Sequence, residues 1–103
     1  MVRKMKSMFK EVIVCYDITE DKRRNKFFER MKDFGLISIQ KSIFWGYVNT
    51  AEERAILNEL RSQSDPTTDR GFIVKVRLRE TINKNGCGYS ERDLPEDIDY
   101  GSI

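Results

Sequence analysis

The residue best placed for chemistry in this 103-residue chain is Asp17, directly after the β-branched and aromatic run Val12-Ile13-Val14-Cys15-Tyr16. A carboxylate at the end of a buried strand, just ahead of a helix, sits where layered α/β folds tend to bind ligands. Its oxygens suit a hard cation such as Mg2+ or Mn2+; the alternative is an Asx-turn or a helix cap. A single carboxylate makes a poor metal site, so a second must come from this chain or from a symmetry mate. The chain has no histidine. That removes Ser-His-Asp and Cys-His nucleophiles, His-rich metal sites and an imidazole acid or base. Cys15 and Cys87 show no Cys-x-x-Cys spacing and cannot build a four-ligand zinc site. Chemistry therefore rests on carboxylates, Tyr, Ser/Thr or Lys, or on a metal held by oxygen.

Two basic sets could meet phosphates. Lys22, Arg23, Arg24, Lys26 and Arg30 lie along one helical segment, and Lys75, Arg77 and Arg79 recur at period two. Cations at a helix start oppose the macrodipole, and three cations on one sheet face repel each other, which argues for an anionic ligand such as a nucleic-acid backbone. The alternative is a solvated face. Tyr16, Phe44, Trp45 and Tyr47 either stack on bases or fill core and interface. Ser42 beside Lys41 is no nucleophile–base pair, since neighbouring strand residues point to opposite faces. Cys15 reads as core, and Cys87, between two glycines, as exposed. Net charge hides an asymmetry. Residues 91–103 carry one base and five acids, leaving 18 bases and 12 acids in residues 1–90, so a +6 body bears a −4 tail.

The elements that must position these groups follow from periodicity. Residues 1–10 form a basic lead-in, with Met8 as an alternative start; 11–80 form the folded domain, and 81–103 a C-terminal segment with the acidic tail. The run 12–16 predicts a strand covered on both faces. Residues 21–34 predict a helix with Phe27, Phe28, Met31 and Phe34 on one side and Gly35 as a left-handed C-cap. Residues 36–48 are one bent strand or two joined by a tight reversal. Thr50 and Glu53 write a capping box for a helix through about Gln63, with Ile56, Leu57 and Leu60 as its buried face. A loop over 64–71 precedes a strand over 72–79, and Asn85-Gly86 signals a turn. Both helices then pack on one face of a mainly antiparallel sheet, an α+β architecture with the other face free. No run approaches the ~18 apolar residues of a membrane span and no signal-peptide core follows the basic N-terminus, so a cytoplasmic protein is expected.

The ordered segments Val14-Cys15-Tyr16-Asp17-Ile18-Thr19, Lys22-Arg23-Arg24-Asn25-Lys26, Gly35 and Gln40-Lys41-Ser42-Ile43-Phe44-Trp45-Gly46 resemble the small CRISPR-associated protein family numbered two. The likeness covers about residues 11–79. It implies a ferredoxin-like βαββαβ fold with an extra C-terminal segment, and a homodimer. It also implies that Asp17 pairs with its symmetry mate to hold one divalent metal, Mg2+ or Mn2+, for phosphodiester hydrolysis. Tyr16, Arg24, Lys26, Ser42 and Phe44 fall on positions that family associates with the nuclease site or nucleic-acid contact, and Tyr16 joins Asp17 as a catalytic candidate. The implied partners are the CRISPR integrase and a double-stranded DNA prespacer, with single-stranded RNA as a further substrate class. Ser38 departs from the family, several of whose members carry a base there. The acidic tail cannot bind DNA directly and suits a basic integrase surface. The competing assignment is a stand-alone toxin-type ribonuclease of the virulence-associated D kind, distinguished by gene neighbourhood.

Overall fold

The computed structural model of the chain describes residues 8–95. Expectations for the start of the basic lead-in and the end of the acidic tail lie outside the described residues. Strand β1 (Lys10–Asp17) alternates strictly: Val12, Val14 and Tyr16 are buried, Ile13 and Cys15 half-buried, and Asp17 exposed. It is thus fully covered on one face, not on both as expected. The reason is layering: the apolar residues of both long helices cluster with Val12, Val14 and Tyr16, all on one side of the sheet.

Helix α1 (Asp21–Asp33) buries Phe27 and Met31 completely, with Phe28 and Phe34 packed at the margin. It ends as expected. Gly35 takes φ +83°, its N–H donates to Lys32 O at 2.9 Å, and Leu36 N–H donates to Met31 O at 3.2 Å. Those are the two bonds of a Schellman cap, which releases the chain into β2.

The stretch 36–48 is two strands, β2 (Ile37–Gln40) and β3 (Ile43–Val48), joined by a two-residue reversal. Ser42 supplies the reversal by adopting φ 68°, at a cost of about 1–2 kcal/mol for a residue with a Cβ. The next helix, α2 (Thr50–Gln63), starts one residue earlier than its Thr50–Glu53 box predicts. Asn49 Oδ1 accepts from Glu52 N–H at 2.7 Å, and Glu52 Oε1 accepts from Asn49 N–H at 2.9 Å. Val48 still pairs with Lys10, so the chain leaves the sheet at 49, and the Asn-x-x-Glu pair takes the corner. Ile56, Leu60 and Gln63 form its buried face, with Leu57 only half-buried.

Strand β4 (Arg70–Lys75) begins and ends earlier than the 72–79 expected. Leu78–Asn85 is instead a helix, α3, although Phe72 to Arg79 alternates like a strand. The cause is β1: Glu11 Oε2 accepts from the N–H groups of Leu78 at 2.8 Å and Arg79 at 3.0 Å, capping a helix start. Gly71 lets β4 lie close to α2, since a Cβ there would stand 2.7 Å from Leu60 Cδ1 and 3.0 Å from Cys15 O.

The sheet order is β2-β3-β1-β4, antiparallel throughout, with α1 and α2 on one face. This is the ferredoxin-like βαββαβ arrangement. The second face is divided. Over β3, Trp45 is wholly buried with Nε1 donating to Glu11 at 2.7 Å, and the segment after α3, through a 3₁₀ turn at Glu91–Asp93, brings Tyr89 within 3.5 Å of Gln40 on β2. Among the described residues the β1–β4 half stays open, leaving Phe72 55% and Val74 42% exposed. Among the described residues no helix is long and apolar enough to cross a membrane.

Candidate functional site

Asp17 ends β1 on the open sheet face, directly opposite Arg70 of β4, and both residues are exposed. Ile18, the next residue, plugs the core at 2% exposure and continues the inward alternation of Val12, Val14 and Tyr16, after which the chain turns from β1 towards α1. Two arginines hold the turn. Arg24 Nη1 donates to the carbonyls of Ile18 at 3.1 Å and Thr19 at 3.2 Å, while Nη2 pairs with Asp21. Arg23 Nη1 donates to Gln63 O at 2.6 Å and to the carboxylate of Asp69, and its Nε lies 3.3 Å from Glu20 Oε1.

Asp69 is the hub of that arrangement. Its buried carboxylate accepts from Thr19 N–H at 3.0 Å, Asp65 N–H at 2.7 Å and Thr68 Oγ1 at 3.0 Å, besides Arg23. The Asp65 N–H first, then the Arg23 guanidinium and the Thr19 N–H, hold its carboxyl far below the usual range. Asp65 is lowered too, by the Thr67 N–H and hydroxyl. The β1–α1 turn is thereby tied to the residue immediately before β4, so the strand ends carrying Asp17 and Arg70 are held in fixed relation. Asp69 and Arg70 fall in a stretch that reads as loop from sequence. The available signal is weak: an acid–base pair just before a glycine.

The other candidate residues separate. Tyr16 points to the helix side, opposite Asp17, with its ring 4.8 Å from Phe27 and 6.1 Å from Phe44 between centroids; burial pushes its hydroxyl pKa up, partly offset by Arg24. Phe44 is fully buried beside Phe28. Ser42 lies close behind, its carbonyl accepting from Tyr16 N–H at 3.1 Å. On α1, Lys22 and Lys26 are exposed, whereas Arg30 stands 3.6 Å from Glu59 and 3.8 Å from Asp33.

The expected stripe of Lys75, Arg77 and Arg79 does not exist as a sheet face. Lys75 ends β4 opposite Val12, Arg77 is the N-cap of α3, and Arg79 lies within α3. There Arg79 donates from Nε to Tyr47 Oη at 3.2 Å, from Nη1 to Glu91 at 3.3 Å and from Nη2 to Pro95 O. The helix start at Leu78 breaks the period of two. Among the described residues, no three acidic, Cys or His side chains gather into a metal-sized cluster. Asp17 is thus an exposed carboxylate facing the guanidinium-bearing Arg70, beside the exposed Phe72 and Val74 of the half-sheet.

Residues 8–84 match the family model described as CRISPR associated protein Cas2. The chain is 35% identical over 94 residues to a CRISPR-associated endoribonuclease Cas2 of Francisella tularensis subsp. novicida, covering 91% of this chain and 96% of the relative. It is 44% identical over 68 residues to a CRISPR-associated endoribonuclease Cas2 of Pyrobaculum aerophilum, covering 66% and 75%. Among solved structures, Streptococcus pyogenes Cas2 is similar in fold at a TM-score of 0.62 and 24% identity, covering 76% of this chain and 99% of that one. The family match over most of the chain and the relative 35% identical over 91% of it agree, and the chain belongs to the CRISPR-associated Cas2 family.

Proposed function

We propose that this chain acts in CRISPR adaptation, the acquisition of new spacers, as a cytoplasmic homodimeric nucleic-acid scaffold carrying a metal-dependent endonuclease site at Asp17. The observation that carries this is the setting of Asp17, an exposed carboxylate at the edge of the open half-sheet of Ile13, Cys15, Phe72 and Val74. A second copy packed on that half-sheet in a two-fold arrangement covers Phe72 and Val74 and brings the two Asp17 carboxylates together. Their paired oxygens fit Mg2+ or Mn2+, for which the described residues of one chain gather no cluster. Such a cation, when bound, supplies water activation and polarisation of a phosphodiester.

The chain's own residues do the positioning. Arg23, Arg24 and Asp69 hold the turn that presents Asp17, and Tyr16 and Phe44 pack the core behind it. Lys22 and Lys26, with Lys75 and Arg77, offer exposed cations to a DNA or RNA backbone, which they attract without reading sequence. The names of the relatives support ribonuclease chemistry. In the scaffold role the dimer carries a prespacer duplex and bridges integrase dimers, with the acidic tail docking on a basic integrase surface.

Asp17→Asn tests the enzymatic half. It should abolish magnesium-dependent cleavage of a short single-stranded RNA and leave binding of a short DNA duplex unchanged. Cleavage that survives the substitution would place the activity elsewhere or in a contaminant. A purified chain that stays monomeric and shows no salt-dependent duplex binding would overturn the scaffold half.

A further inference from the structure

Resting on the nuclease reading of Asp17, we infer that Arg70 is a second functional group of that site, holding the phosphate undergoing hydrolysis. Four observations lead there. Arg70 is directly opposite Asp17 across the β1–β4 ladder, so the two side chains leave the same face about 5 Å apart at Cβ. Both are exposed, and among the described residues Arg70 makes no ion pair or side-chain hydrogen bond, even with Asp17. The arginines of the neighbouring turn are committed elsewhere: Arg23 to Asp69 and Gln63 O, Arg24 to Asp21 and two carbonyls. Finally, Arg70 follows Asp69, whose carboxylate anchors Thr19, Asp65 and Arg23, so its backbone is held firmly while its guanidinium is free.

A planar guanidinium presents a fork of N–H donors that matches two oxygens of a phosphodiester, which an ammonium does not. Hydrolysis forms a bond from water oxygen to phosphorus and breaks the bond from phosphorus to the leaving nucleoside oxygen. The proton lost by water is matched by the one gained by the leaving oxygen. Arg70 neither gives nor takes a proton; it offsets the charge that builds on the non-bridging oxygens. In the two-fold pair its copy flanks the other side, so two guanidiniums balance two carboxylates. This separates Arg70 from Lys22 and Lys26, which attract nucleic acid along its length but lie on α1.

Arg70→Gln, Arg70→Lys and Asp17→Asn are compared in single-turnover cleavage of a short labelled single-stranded RNA with magnesium, alongside thermal melting and RNA affinity across a salt series. Arg70→Gln should lower the cleavage rate on the order of a hundredfold, as loss of one donor to developing charge does elsewhere. Melting should stay close to that of the parent chain, affinity should weaken far less than rate, and Arg70→Lys should recover only a small part of the loss. If Arg70→Gln cleaves like the parent while Asp17→Asn is inactive, Arg70 has no such role and the Asp17 reading stands. If Asp17→Asn also cleaves like the parent, the Asp17 reading fails and this inference with it. Full rescue by Arg70→Lys would overturn the bidentate assignment.

Discussion

Replacing Glu11 with Ala should detach α3 from the sheet, and the chain carries its own reporter of the event. One oxygen, Glu11 Oε2, accepts from Trp45 Nε1 at 2.7 Å, Leu78 N–H at 2.8 Å and Arg79 N–H at 3.0 Å. Trp45 is fully buried, so its indole N–H would be left without an acceptor, a loss of about 1–3 kcal/mol. Removing the acceptor from the first turn of α3 adds about 0.5–2 kcal/mol, the usual range for a lost cap. The three donors share one oxygen, so these figures do not sum fully, and about 2–4 kcal/mol is the expected total. For a domain of this size that lowers Tm by roughly 10–25 °C. Glu11→Gln keeps an acceptor oxygen and should lose distinctly less. Because Trp45 is the chain's one tryptophan, its emission reports this site alone and should shift to the red in Glu11→Ala under native conditions. An Ala variant melting within about 2 °C of the parent, with unchanged emission, would refute the claim that Glu11 holds α3. Since α3 leads into residues 86–95, whose Tyr89 meets Gln40 on β2, the same variant should weaken any partner contact made by the C-terminal segment.

Two other outcomes follow from the site's surroundings. Asp69 is held ionised by the Asp65 N–H, Arg23 and the Thr19 N–H, so its folded-state pKa lies below its unfolded value. Its contribution is complete above about pH 4 and is lost as the pH falls from there towards the folded value, because the unfolded chain takes up the proton first. Thermal melts from neutral to acid pH should show Asp69→Asn less stable near neutrality and flatter on the acid side; parallel curves would contradict the hub role. Phe72→Glu places a charge on the open half-sheet at a residue 55% exposed in the single chain, so folding should persist while dimerisation fails. Light scattering after gel filtration reads this directly, and a variant with unaltered dimer mass would exclude this face as the interface.

Much of the fold is legible in the residues. Phe27 and Met31 at helical spacing, Gly35 at the helix end and the alternation of Val12, Val14 and Tyr16 each carry local information strong enough to survive folding. Asp17 at the end of β1 was legible for the same reason, as were the absence of histidine and the limits it sets on mechanism. Local pattern failed where a distant group decided the outcome. Residues 72–79 alternate like a strand, yet Glu11, far off in sequence, caps a helix at Leu78 and disperses the basic stripe. Asn49 displaced Thr50 as the cap because strand pairing dictated where the chain left the sheet.

The charges teach the same distinction. Composition shows that this chain is rich in arginine, and a run such as Lys22 to Lys26 marks a candidate phosphate surface. Which guanidiniums are free depends on carboxylates and carbonyls brought in from other elements. Arg23 meets Asp69 across 46 positions, and Arg79 meets Tyr47 across 32, while Arg70 is left facing Asp17. Residue type and period are local properties, so the sequence by itself determined the two long helices, most of the core and the position of the carboxylate. Pairing between distant charges, and the half of the sheet left open, are decided only when the chain closes on itself, because those interactions depend on distance in space.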